Sequence, residues 1–289
     1  MDTPRHKSIL LQTTVSTVYN LRHGSAALVL IVLAVAFSVG QERRANNLPF
    51  ASGEELLYQA EFSRGLLRGA NVGELRFDVN GPIALNRSEQ ILVGDAIGKG
   101  LLLKLFGEQF HLHVESTVTT EPFTVRHTSK LDEERKRVRV SEATFDHETH
   151  QAVWSDRDPR QSEPPVSKTL AFTEPVQDIL TVIYFLRTRR LEPGQWFDVP
   201  VVDAGRLYRF SVSVRERKQI RTVLGRVWAV RVEPSIVGED TPARNRGTLS
   251  LWLTDDARRI PVKAQITVPA GRFDISLKRV TNRAAQPSR

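Results

Sequence analysis

Gln109-Phe-His-Leu-His-Val-Glu-Ser-Thr-Val-Thr119 alternates apolar and polar side chains. A strand turns successive residues to opposite faces, so Phe110, Leu112, Val114 and Val118 share one side, and His111, His113 and Glu115 share the other. The same period marks strand-like runs at Glu55–Phe62, Gly73–Val79, Gln90–Ala96, Phe123–Lys130, Lys136–Phe145 and His150–Trp154. It continues at Trp196–Val202, Leu207–Arg215, Val227–Glu233, Thr248–Thr254, Val262–Val268 and Phe273–Val280. Turn residues separate the runs: Asn80-Gly-Pro82, Glu192-Pro-Gly194, Asp203-Ala-Gly205, Thr254-Asp-Asp-Ala257 and Pro269-Ala-Gly271. This many strands at short spacing predicts a mainly β fold, with antiparallel sheets curved into a barrel or an open sandwich.

Two segments depart from the pattern. Gln177-Asp-Ile-Leu-Thr-Val-Ile-Tyr-Phe-Leu-Arg187 predicts one buried helix near 177–188, with Asp178 at its start and Arg187, Arg189 and Arg190 at its end to suit the helix dipole. Ile179, Leu180, Ile183, Tyr184 and Leu186 surround most of it. Leu101-Leu-Leu-Lys-Leu-Phe106, after Gly98 and Gly100, reads as a short apolar helix or a loop insertion. The polar stretch Ser155–Pro165 reads as a wide connection inside one fold, because neither half alone completes a sheet.

Ahead of all this stands Ala26–Gly40, an uncharged apolar run behind Arg22 and His23. A basic start, an apolar stretch and small residues at its end are the parts of a secretory signal. A spanning helix needs about 20 apolar residues, more than this run offers. Ser38 and Gly40 place cleavage after Gly40, with Ala34 and Ala36 as an earlier site. The alternative is an uncleaved N-terminal anchor. The expected organisation is a leader over 1–40, a single β-rich domain over 41–283 and a disordered tail over 284–289, exported to the periplasm or cell envelope.

There is no cysteine, so stability must come from an apolar core rather than disulfides. A domain of this length buries about three quarters of its unfolded surface. The net charge of +8 falls on residues that alternate with apolar ones or mix with acids, as in Asp132–Val140, which is how the wet face of a sheet looks. No nucleic-acid reader motif accompanies it.

Candidate chemistry is sparse. His111 with His113, and His147 with His150, lack the spacing of a metal site, and no metal or cofactor is expected. The sequence holds no nucleophile elbow, phosphate loop or zincin helix. Glu108, Glu115 or Asp178 would serve glycoside chemistry only if paired across a cleft. Trp154, Trp196, Trp228 and Trp252 all fall in predicted strands, where core packing competes with lining an apolar cavity.

Leu48-Pro-Phe-Ala-Ser-Gly-Glu-Glu-Leu-Leu-Tyr58 resembles the opening of the bacterial exported family called domain of unknown function 3108. Pro175–Leu180, Tyr184–Arg187 and Leu191–Gly194 are similar to its helix and turn. Val230–Pro234 and Leu251–Val262 are similar to its closing signature. Ile179 departs from the proline the family often carries there. The likeness covers residues near 48 to 280. It implies an exported, β-rich, single-domain protein and supplies no activity or catalytic residue to carry over.

The expectation is a non-enzymatic envelope protein that binds an apolar or amphipathic, lipid-like ligand, with Leu101, Leu102, Leu105, Phe106, Trp154 and Trp252 as binding residues. The alternatives are an interaction module for an envelope protein or glycan and, behind that, a glycan-active enzyme. The expected partners are a lipid or an envelope protein, with no nucleic acid. Membrane contact is expected only through an uncleaved leader.

Overall fold

The computed structural model of the protein describes residues 48–81, 88–100, 110–134, 137–237 and 247–283. The leader at 1–40, the Leu101–Phe106 segment and the tail at 284–289 lie outside them. The described residues begin with a meander of β1 (Glu54–Arg64), β2 (Leu67–Asn80), β3 (Glu89–Gly98), β4 (Phe110–Thr120), β5 (Phe123–Glu134), β6 (Arg137–Asp146), β7 (Gln151–Arg157) and β8 (Val166–Ala171). Helix α1 (Thr181–Thr188) leads into β9 (Trp196–Asp203), β10 (Arg206–Thr222), β11 (Gly225–Val237), β12 (Thr248–Thr254), β13 (Pro261–Val268) and β14 (Gly271–Asn282).

The fourteen strands among the described residues join one antiparallel sheet in the order β8-β7-β6-β5-β4-β3-β2-β1-β14-β13-β12-β11-β10-β9. The chain's first and last strands lie side by side, with Glu54 opposite Asn282. β8 and β9 remain as edges, so the expected curved sheet is open rather than a closed barrel. Side chains bring the two arms together instead. Val125, Phe145 and Ala152 from β5 to β7 share a buried cluster with Val202 of β9. Lys130 of β5 pairs with Asp203 at the end of β9.

Helix α1 packs within this curl. Val182 and Leu186 join Val199, Val212, Val230 and Leu253 on one arm. Leu180 and Tyr184 join Val79, Leu92, Val114 and Val118 on the other. Each such side chain contributes about 1.5–3 kcal/mol by leaving water. The short helix is therefore held by both arms, not by its own propensity.

The helix starts later than its sequence predicts. Gln177 instead makes a parallel bridge to β9, donating to Pro200 O and accepting from Val202 N. Asp178 stops the helix from extending backwards, because its Oδ1 accepts the backbone N–H groups of Leu180 and Thr181. Ile179 is consequently exposed, and Ile183 is only half-buried. The Ser155–Pro165 stretch proves to be the end of β7 and the hairpin connection to β8, inside the one sheet.

Candidate functional site

The three stretches that carry the family resemblance meet around Arg187. Its guanidinium is fully buried and pairs with Glu54 of β1, Nη1 to Oε1 at 2.5 Å and Nη2 to Oε2 at 2.9 Å. Nη2 also donates to Pro49 O, and Nε donates to Arg258 O in the β12–β13 turn. Phe50 and Tyr184 lie under the same group, with ring centres at 5.1 and 5.5 Å. Tyr58 donates to Pro261 O at 2.7 Å. Burial raises the pKa of both Tyr58 and Tyr184, so neither phenol ionises near neutral pH. This arrangement ties three distant segments together and leaves the charges satisfied. Its chemistry is structural.

The second constellation surrounds Asp178. Ser116 donates to its Oδ2 at 2.5 Å, Thr128 donates to the same oxygen, and Oδ1 caps α1. Beside it, Thr128, Lys130, Trp154, Val202 and Asp203 line a cavity of about 20 Å³. That volume suits one water molecule; small-molecule sites typically occupy about 300–1,000 Å³. Asp178 does not face Glu115 across a cleft: it is buried, whereas Glu115 lies exposed on β4.

The third is a row of charges crossing β2 to β5. Arg76 bonds Asp78 at 3.1 Å and Asp95 at 3.3 Å. Asp95 Oδ1 lies 2.7 Å from His113 Nδ1 and 3.5 Å from His111 Nε2, and His111 Nδ1 reaches Glu133 at 3.1 Å. Partial burial would raise the Asp95 carboxyl, but the hydrogen bond and charge of His113, then Arg76 and His111, outweigh it and hold it low. For Asp78 burial wins over Arg76, and its carboxyl is raised. Among the described residues no group of three His, Asp or Glu side chains is placed to hold a metal ion.

Of the expected binding residues, Trp154 and Trp252 lie among the described residues, and they sit in different clusters. Trp154 lines the small cavity, and Gly205 approaches its ring so closely that a Cβ there would lie 2.7 Å from Cε3. Trp252 is buried in a different cluster with Ala229, Ile260 and Val262. Leu101, Leu102, Leu105 and Phe106 lie outside the described residues, as does Glu108. His147 contacts Val125 O, and His150 occupies a turn at φ 55°. Trp196 and Trp228 are exposed, at 71% and 46%. Sequence reasoning missed the Glu54–Arg187 pair, although a signal existed. A helix apolar on nearly all sides must be buried, and any charge on it needs a buried partner.

Among solved structures, the chain is similar to a β-barrel-like protein of Domain of Unknown Function DUF1849 from Brucella abortus. The match has 10% identity and a TM-score of 0.55, covering 79% of this chain and 97% of that one. A Bacteroides fragilis protein described as exported, with a YmcC-like fold, matches at 9% identity and a TM-score of 0.35, covering 81% and 98%. The first likeness is one of fold. No curated protein matches the chain significantly. The sequence fits the family described as Protein of unknown function (DUF3108) over residues 57–278, and the chain belongs to that family.

Proposed function

We propose that the protein is an exported, non-catalytic interaction module that binds through the outside of its sheet and does not carry a ligand within it. The observation behind this reading is the close packing of the interior among the described residues. Helix α1 packs against both arms of the sheet, Arg187 and Glu54 neutralise each other beside it, and the cavity next to Asp178 measures about 20 Å³. A lipid-like ligand would have to displace that packing. The apolar run at Ala26–Gly40 supports export.

The test is native mass spectrometry of protein purified from its host envelope, combined with N-terminal sequencing. The expected result is a lipid-free chain beginning at Gln41. A lipid retained at one-to-one stoichiometry through detergent washing would overturn the filled-interior reading and restore the apolar-ligand expectation. Recovery of the full chain from the cytosol would overturn export.

A further inference from the structure

The β10–β11 hairpin runs past both of its neighbours. β9 pairs with β10 only as far as Ser213, and β12 pairs with β11 only from Ala229 to Val232. Between these limits the two strands pair with each other, Gln219 opposite Trp228 and Arg221 opposite Arg226. One side of this extension is anchored. Ile220 and Leu224 pack against the cluster of Tyr58, Trp252 and Ile260, and Lys218 lies 5.8 Å from the Trp252 ring centre. The other side presents Arg217, Gln219, Arg221, Val223, Arg226 and Trp228, all exposed.

The charge on this face is one-sided. It holds Arg217, Arg221 and Arg226 and no acid, while Lys218 lies on the anchored side and pairs with Glu216. Arg217 reaches Asp255, outside the hairpin, and stacks 4.7 Å from the Trp228 ring centre. Arg221 and Arg226 sit directly across from one another, and neither forms an ion pair among the described residues. Like charges directly opposed on a ladder repel, so their placement weakens the hairpin they occupy. An anionic counterpart outside the chain would relieve that repulsion.

We propose that this face docks on an anionic phospholipid bilayer. The inference rests on the reading that the protein works through exposed surface and not through an interior ligand; Trp228, two residues before Val230, extends the face that packs α1 beyond the core. Arginines supply the attraction to headgroup phosphates, while Val223 at the turn and the Trp228 indole suit the boundary between headgroups and acyl chains. An acidic glycan fits less well. Arg217 already covers one face of the indole that a sugar would stack on, and an exposed valine adds nothing to sugar binding.

The experiment is vesicle co-sedimentation of protein purified from its host envelope. It compares phosphatidylcholine vesicles with vesicles enriched in phosphatidylglycerol. A retained leader carries its own basic residues but is the same in every variant, so the difference between variants reports the charged surface. The wild type should favour the anionic vesicles, less so as salt is added. Arg221→Glu with Arg226→Glu should weaken that binding by about tenfold or more. Lys168→Glu with Arg206→Glu makes the same change in net charge at exposed sites elsewhere, and should leave binding within about twofold. Quenching of tryptophan fluorescence by brominated lipid should fall in Trp228→Phe.

Equal losses in the two double variants would reduce the effect to net charge and overturn the proposal. So would a wild type that ignores phosphatidylglycerol. Tight binding to a soluble acidic polysaccharide, lost with Arg221 and Arg226 while vesicle binding stays weak, would replace the bilayer by a glycan. A lipid found inside the purified protein would overturn the filled-interior reading alone, because these vesicle comparisons do not depend on it.

Discussion

Glu54 and Arg187 stand 133 positions apart in sequence and form a two-pronged ion pair in the interior, both side chains almost wholly removed from water. Arg187→Ala would strand the carboxylate of Glu54 there, and breaking a buried pair in this way costs about 3–5 kcal/mol. Urea unfolding should show the loss. Replacing both partners, as Glu54→Leu with Arg187→Met, should recover much of it, because an apolar pair leaves no charge behind. A single variant as stable as the wild type would mean the pair is not buried in solution.

Asp178 holds the start of α1 and the hydroxyls of Ser116 and Thr128 together. Asp178→Ala removes a cap, about 0.5–2 kcal/mol, and leaves buried hydroxyls unpaired at about 1–3 kcal/mol. Asp178→Asn keeps one acceptor oxygen and should fall between alanine and the wild type. Melting temperatures that do not follow this order would show that the carboxylate is not the organising group.

Ala204 and Gly205 form the two-residue turn between β9 and β10, both at positive φ, 48° and 66°. Gly205→Ala faces a left-handed backbone, costing about 1–2 kcal/mol, and in addition drives a methyl into the Trp154 ring. Gly65→Ala has a similar φ of 56° but open space around it, so it should carry the backbone cost alone. Comparing the two by thermal unfolding isolates the contact with Trp154. Equal destabilisation would mean the ring yields freely.

Asp256 links a pH dependence to the β12–β13 turn. Partial burial raises its carboxyl, but the Thr254 hydroxyl, the Arg259 N–H and the Arg258 charge and side-chain hydrogen bond outweigh it and hold the pKa low. The folded state therefore binds this proton less readily than the unfolded chain. The stabilisation is complete above the unfolded value of about 3.9 and is lost as pH falls through the depressed folded value. Asp256→Asn should be less stable than the wild type at neutral pH, and the gap should narrow in acid. A gap constant down to pH about 2 would rule the linkage out.

Strands announced themselves where one face is wet and the other dry. Leu112, Val114 and Val118 alternate with histidine and glutamate because β4 lies between the core and solvent. β8 escaped notice for the opposite reason. Val166–Ala171 is an edge strand with almost every side chain exposed, so burial imposes no period on it. Partner choice was equally hidden, since the alternation in β1 is the same whether its neighbour is β2 or β14. The settings of the tryptophans were not legible. The tryptophans share a strand setting, yet Trp252 is covered by the cluster beside it, while Trp228 sits on a hairpin that has outrun its neighbours. Only three-dimensional placement distinguishes them.

The seam between β1 and β14 also fixes an order of assembly. Glu55 of β1 pairs with Arg283, 228 positions later, and Arg283 N donates to Gly53 O. During synthesis or export from the N-terminus, β1 emerges long before the strand that completes its other side. Until then it presents a bare edge that can recruit the wrong strand. A chain truncated before Gly271 would lose a central stave of the sheet rather than its fringe, and Leu56 and Tyr58 would lose Leu277 from their cluster. In this protein, damage to the last strand is damage to the middle.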